Sequence, residues 1–281
     1  MPSRADSSHE ATLTEGLQYR HHRVQRLRRL LARAAARDEA RAFVVEGARV
    51  LEEAFAAGAA VESVFAAPGA PPALLATAEA AGVRVHLLAP GVLQRVAGTV
   101  NPQPVLAVVR ALDVPLAALA GARLVLVCVD VRDPGNAGTV LRSAEAAGAD
   151  GIVCCGGTVD VYNPKTVRAS AGSIFHVPVV AGGDPMEVLD EMAKWGLRRL
   201  GTAVADGRPY TTVDLTAPCA LVLGNEASGL TEPVAGALDE VVTIPMAGRT
   251  SSLNVGMAAA VLCFEAARQR ATAPVTLEPD R

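Results

Sequence analysis

The stretch RLVLVCVDVRDPGNAGTVLRSAEAAGADGIVCCG, residues 123–156, reads as strand, turn, helix and strand. Its first run, LVLVCV, is apolar without alternation. Such a run suits a parallel strand covered on both faces, whereas a strand with one wet face would alternate. Pro134 and Gly135 interrupt the run, and a helix is predicted from near Asn136. GIVCCG then opens a second apolar strand. A strand–helix–strand unit of this kind sets the class as α/β with a parallel sheet.

The same grammar continues downstream. NPKTVRASAGSIF predicts a helix over 163–175, VPVV a strand and PMEVLDEMAKWG a helix. RRLGTAVA, CALVLGNE and EVVTIPM are further strands, and a last helix is predicted from near Leu253. Upstream, an arginine-rich helix is predicted over 20–37, followed by a strand at Phe43–Val45 and further helices and strands, an α/β alternation of about 90 residues in all. The segment LDVPLAALAGA, 112–122, reads as a linker. The expected organisation is a disordered tail at 1–16, a smaller α/β domain at 17–111, the linker, a larger domain at 123–272 and a tail at 273–281.

Composition narrows the function. Of 281 residues, 51% are apolar and only 3% aromatic, so the core must rest on Ala, Val and Leu. The net charge of −3 excludes a globally basic nucleic-acid binder, and an anionic partner must meet a local patch. One candidate lies between Arg20 and Arg41, where eight arginines face Asp38 and Glu39. The five cysteines show no CxxC spacing, which argues against zinc or a disulfide frame, and no metal site is expected. No apolar run reaches membrane-spanning length and residues 1–15 are polar, so a cytoplasmic location is expected.

Three segments could carry chemistry. In DVRDPGNAGTVLR, Asn136 and Arg142 sit at a strand-to-helix turn, where open α/β sheets bind ligands and helix N-termini favour anions. Neither GxGxxG nor a Walker A sequence occurs there. In LVLGNEASGL, Gly224 at a strand exit permits close backbone approach, and Glu226 either caps a helix or serves a ligand. In IPMAGRTSSLNVGMAAA, Ser252 or Asn254 is a candidate N-cap ahead of a helix of small apolar residues.

Together, in this order, Asn136-x-Gly138 with Arg142, Gly224-Asn225-Glu226 with Gly229, and Ser252-Leu253-Asn254 resemble the three motifs of the SpoU (TrmH) family of SPOUT methyltransferases. YNPKTVRASAGSIFHVPV, 162–179, is similar to the family's segment between its first two motifs. The first half resembles, more loosely, the family's L30e-like substrate-binding domain. The resemblance implies a deep trefoil knot in the larger domain and a homodimer through that domain. It also implies transfer of a methyl from S-adenosylmethionine to a ribose 2′-OH of RNA. The two-domain layout leans to 23S rRNA; tRNA, or a non-catalytic RNA-binding assembly factor, are the alternatives. Thr202, Ala203, Gly224, Ile244, Met246 and Leu253 are then the expected cofactor contacts. Asn136, Arg142, Glu226, Ser252 and Asn254 are the expected catalytic set. Arg142 would hold a phosphate and stabilise the developing alkoxide, since a guanidinium is a poor literal base. Arg20, Arg23, Arg26, Arg28, Lys165 and Arg168 are the expected RNA contacts.

Overall fold

A computed structural model describes residues 16–97, 101–204 and 206–272. The two expected tails fall outside these, apart from Gly16. The chain forms two compact units. One runs through Leu112 and takes in Tyr162–Phe175; the other comprises Asp113–Val161 and resumes at His176.

In the first unit, helices α1 (His22–Ala32) and α2 (Ala34–Ala40) precede β1 (Ala42–Glu46), α3 (Ala48–Ala56) and β2 (Val61–Ala66). Then come α4 (Pro72–Ala80), β3 (Arg84–Leu87), α5 (Val92–Ala97) and β4 (Val105–Arg110). The strands form a mixed sheet, β1-β4-β2-β3, in which only β2 and β3 run parallel. Val24, Leu27 and Leu30 of α1 lie at helical spacing and pack into one core with Phe65, Leu106 and Val108.

The helix expected over 20–37 is broken. Arg33 is extended (φ −132°, ψ 123°). The break removes the helical partner of the Leu30 carbonyl, and the buried Arg37 guanidinium donates to that carbonyl at 2.6 Å. The helix expected over 163–175 is also shorter: α7 covers Pro164–Ala169, and Ala171 and Gly172 then take positive φ of 53° and 103°. This segment, expected in the larger domain, belongs to the first unit. Phe43 stacks on Tyr162 (4.6 Å) and Phe175 (6.2 Å), and the Tyr162 hydroxyl accepts from the Leu112 amide at 2.7 Å.

The second unit holds a seven-stranded sheet, every pairing of which is parallel. Its elements are β5 (Leu124–Cys128), α6 (Pro134–Ala146), β6 (Gly151–Cys154), β7 (Val179–Ala181), α8 (Pro185–Lys194), β8 (Arg198–Ala203) and β9 (Arg208–Pro209). They continue with β10 (Cys219–Leu223), α9 (Glu232–Gly236), β11 (Glu240–Thr243) and α10 (Val255–Thr272). The order is β7-β6-β5-β10-β8-β11-β9, so β10 returns to the middle of the sheet between two strands that precede it. The uniformly apolar strands are thus the buried strands of a parallel sheet. The two-residue β9 carries no apolar run, so nothing in the sequence announced it.

The expected linker is not free. Leu119, in a 3-10 turn over Leu116–Leu119, is 2% exposed and packs in the core with Val125, Val153 and Leu189. The Val114 amide donates to the Val179 carbonyl at 2.9 Å. At the other end of this unit α10 packs along α6. Gly256 explains how closely: a Cβ there would lie 2.8 Å from Cβ and Cγ2 of Thr139. Among the described residues no helix is long and apolar enough to cross a membrane.

Candidate functional site

At the carboxyl ends of β8, β10 and β11 opens a cavity of about 620 Å³. This is where an open parallel sheet places ligands, because successive loops diverge there and leave a crevice. Leu230, Leu238, Val242 and Leu262 make an apolar wall, and Asn136, Glu226, Ser252 and Asn254 supply the polar groups.

The polar groups are joined across three distant segments. Asp133 caps α6, its Oδ1 accepting the Asn136 amide at 2.8 Å, with Pro134 at the first helical position. That cap fixes the Asn136 side chain at the helix mouth. Its Nδ2 donates to Glu226 Oε1 at 2.8 Å, and its Oδ1 accepts from Asn254 Nδ2 at 2.6 Å. Glu226 also accepts the backbone N–H groups of Asp133 (3.1 Å) and Arg132 (3.2 Å). Asn254 turns its own Oδ1 to the amides of Gly256 (2.9 Å) and Met257 (3.4 Å), and so caps α10. Burial pushes the Glu226 carboxyl up, but the hydrogen bonds from Asn136, Asp133 and Arg132 outweigh it and hold it below the ordinary range.

The loop after β10 is tied back in the same way. Asn225 and Gly229 exchange backbone hydrogen bonds at 3.1 and 2.9 Å, and the Asn225 amide donates to the carbonyl of Asp130 at 2.9 Å. Gly224 is required by space: a Cβ would lie 2.6 Å from the carbonyl carbon of Gly229. The backbone here can approach a ligand with no side chain between them.

All six expected cofactor contacts, Thr202, Ala203, Gly224, Ile244, Met246 and Leu253, line this cavity. So do Asn136, Glu226, Ser252 and Asn254 of the expected catalytic set. Asn254, not Ser252, is the cap; the Ser252 side chain is exposed and makes no hydrogen bond among the described residues. Ile244 to Met246 lie beyond the end of β11 rather than within it. Arg142 stands apart. Because α6 starts at Pro134 rather than near Asn136, Arg142 falls more than two turns into the helix. It is exposed, lies off the cavity lining and has no partner among the described residues.

Sequence reasoning missed Asp133, although an Asp-Pro pair is a helix-start signal. It also missed the apolar wall of Leu230, Leu238 and Leu262, which no local pattern marks.

The expected RNA contacts all lie in the first unit. Arg23 and Arg26 line a separate cavity there, and Arg26 pairs with Glu62 at 2.7 Å. Arg28 and Arg95 sit over the Tyr19 ring, at 4.8 and 3.7 Å from its centroid. Arg20 and Lys165 are exposed. Arg168 is committed to the nearly buried Glu46 at 2.8 Å, an internal tie rather than a free cation.

Residues 123–264 match the model of the SpoU rRNA Methylase family, and residues 21–107 match that of an MRM3-like substrate binding domain. The chain is 36% identical over 229 residues to the 23S rRNA (guanosine(2553)-2′-O)-methyltransferase RlmP of Bacillus subtilis, spanning 81% of this chain and 89% of that one. The crystal structure of the SpoU methyltransferase AviRb from Streptomyces viridochromogenes, in complex with the cofactor AdoMet, superposes with a TM-score of 0.80 at 32% identity. It covers 90% of this chain and 100% of that one. An AdoMet-bound rRNA methyltransferase from Sinorhizobium meliloti gives a TM-score of 0.76 at 31% identity, over 88% of this chain and 95% of that one.

Proposed function

This chain belongs to the SpoU rRNA Methylase family, and we propose that it transfers a methyl from S-adenosylmethionine to a ribose 2′-OH of 23S rRNA. The observation that carries the reading is the hydrogen-bonded run Glu226–Asn136–Asn254 at the rim of the 620 Å³ cavity. It joins residues 90 and 118 positions apart in the chain. The cavity fits the cofactor's chemistry: an apolar slot for a purine, and a glycine-lined backbone exit at Gly224.

Bound S-adenosylmethionine would supply a methyl already activated on a sulfonium, so the protein's task is positioning and charge. Asn136 is held from both ends of its amide, and its remaining N–H and lone pair are fixed in direction. It orients the ribose. Glu226 is a weak base, because three donors stabilise its ionised form. The proton of the 2′-OH therefore leaves to a phosphate oxygen or to water. Arg142, without a partner among the described residues, grips the adjacent phosphate and offsets the charge that develops on the attacking oxygen.

A second copy of the chain completes the assembly. On α10, Met257 and Phe264 are 60% and 53% exposed, two turns apart on one face, in a helix otherwise rich in alanine. A face of this kind suits a symmetric helix contact. The trefoil knot that the resemblance implies is part of the same reading.

The test is transfer of labelled methyl into an unmethylated 23S rRNA transcript, located by the resistance of 2′-O-methyl ribose to alkali. One resistant position is expected. Label in tRNA alone would move the substrate, and calorimetry showing no S-adenosylmethionine binding would sink the reading.

A further inference from the structure

The first unit contains a cavity of about 300 Å³ whose charges do not balance. Arg23 and Arg26, one turn apart on α1, face Arg84 and His86, two apart on β3. Helical and strand periodicities each put their pair on one face. The carboxylate in the lining is Glu62, and it is already engaged: Arg26 holds one oxygen at 2.7 Å and Arg110 the other at 3.4 Å. Among the described residues, Arg23 and Arg84 have no carboxylate of their own. Arg84 is exposed and has no partner among the described residues, and Arg23 Nη1 lies 3.2 and 3.5 Å from the ring nitrogens of His86. An imidazole that accepts from a guanidinium is neutral. Burial, then Arg23, Arg84 and His21, keep the His86 pKa low, in agreement with that geometry.

Two unspent guanidiniums beside a neutral imidazole form a socket for an oxyanion. In a chain of net charge −3 such local excess is a directed feature, not a by-product of composition. We propose that this cavity binds a backbone phosphate of the RNA substrate, with Arg23 and Arg84 as the clamp, His86 as a hydrogen-bond partner and Glu62 positioning Arg26. The proposal rests on the RNA reading above. It adds Arg84 and His86, which the arginine run on α1 did not indicate. A polymer rather than a free ion is favoured because the same unit carries further cations, Arg20, Arg28 and Arg95, the last two stacked on Tyr19. Stacked guanidiniums of this kind suit a strand with repeating charge.

The experiment uses the full chain saturated with S-adenosylmethionine and a fluorescent 23S rRNA transcript, with affinity measured across a salt series. Arg84→Ala and Arg23→Ala should each weaken binding several-fold near 0.1 M salt. Each should also lower the log–log salt slope by about 0.7–0.9, the contribution of one phosphate contact. S-adenosylmethionine affinity and Tm should not move, which guards against misfolding. Glu62→Gln keeps an acceptor for Arg26 but removes the charge, and should tighten binding. An unchanged slope in the Arg23→Ala/Arg84→Ala double variant, or weaker binding by Glu62→Gln, overturns the site while leaving the methyl-transfer reading intact. A wild-type chain that binds S-adenosylmethionine but no transcript overturns the RNA reading itself. If millimolar inorganic phosphate shifts the His86 ring signals and the transcript does not, the socket takes free phosphate and the proposal fails.

Discussion

The two cavities are built on opposite terms. At the carboxyl ends of the parallel sheet, Asn136 is bonded to both Glu226 and Asn254, and the two helices that meet there are capped from within, α6 by Asp133 and α10 by Asn254. In the mixed-sheet unit, Arg23 and Arg84 lack an acidic partner within their cavity. A polar cluster satisfied inside the chain is set before any ligand arrives, and it costs no reorganisation when chemistry begins. An unspent cation is a demand for an external charge. The first arrangement suits a site that must orient atoms to fractions of an ångström. The second suits a surface that must capture a polyanion.

Arg142 breaks the pattern, since it has no partner among the described residues in a unit of satisfied groups, and it offers the largest expected effect. Arg142→Ala should lower methyl transfer roughly 10²–10³-fold, the scale of a lost charge-stabilising donor. S-adenosylmethionine binding by calorimetry should persist. Arg142→Lys should also fail if the planar fork matters; near-normal turnover of either variant removes Arg142 from the chemistry. Asn136→Ala cuts the run at its centre and leaves Glu226 and Asn254 each short of a partner. A fall of about 10²-fold in kcat/KM is expected from lost orientation, and a loss confined to Tm would make the run structural only.

Gly224→Ala tests the backbone approach. With its Cβ 2.6 Å from the Gly229 carbonyl carbon, the variant must displace that loop. It should lose cofactor affinity at least tenfold and about 1–3 kcal/mol of stability. Smaller still is the contrast between neighbours in one loop. Asn254→Ala should cost ~1 kcal/mol as a lost N-cap, whereas Ser252→Ala should stay within ~0.5 kcal/mol. Chemical denaturation followed by Trp195, which packs on the second unit's core, separates the two.

Acid should part the units as well. In the first, His86 is held below the ordinary value of 6.5 by burial and then by the neighbouring Arg23 and Arg84. A lowered histidine favours the neutral form, so its contribution is present above pH 6.5 and is lost as pH falls through its folded pKa. In the second, the Arg199 guanidinium holds Asp239 at about 2, and Arg268 with Gln269 holds Glu265 at about 2. Glu226 is lowered from 4.5. Their contribution is complete above about pH 5 and disappears only as pH falls toward 2. Histidine ring signals should therefore report weakening below pH 6.5 while Trp195 fluorescence stays native to about pH 4. A single common acid transition would remove the distinction.

Much of the second unit was legible because its signals are local. The unbroken apolar runs at 124–128 and 219–223 suit strands buried on both faces, and that is what they form. The motif residues sit at strand exits that glycine and asparagine mark. The errors came where a local pattern met a distant competitor. Arg33 carries no helix-breaking chemistry, yet α1 stops there and the buried Arg37 guanidinium donates to the Leu30 carbonyl. NPKTVRASAGSIF looks helical throughout, but Tyr162 and Phe175 are claimed by Phe43, more than a hundred residues earlier.

The sequence by itself determined the α/β class, the long apolar strands of the second unit and the residues that gather round the larger cavity. Each is written in hydrophobic period, strand-exit glycines and capping side chains, which act over a few residues. Only the tertiary structure decided that Asn136 would be gripped by Glu226 and Asn254 at once, that Arg142 would stand off the cavity, and that Arg84 and His86 would join Arg23. Those are meetings between segments tens of residues apart. They depend on which strand enters the sheet beside which, and β10 entering between β5 and β8 is written in no single window of the chain.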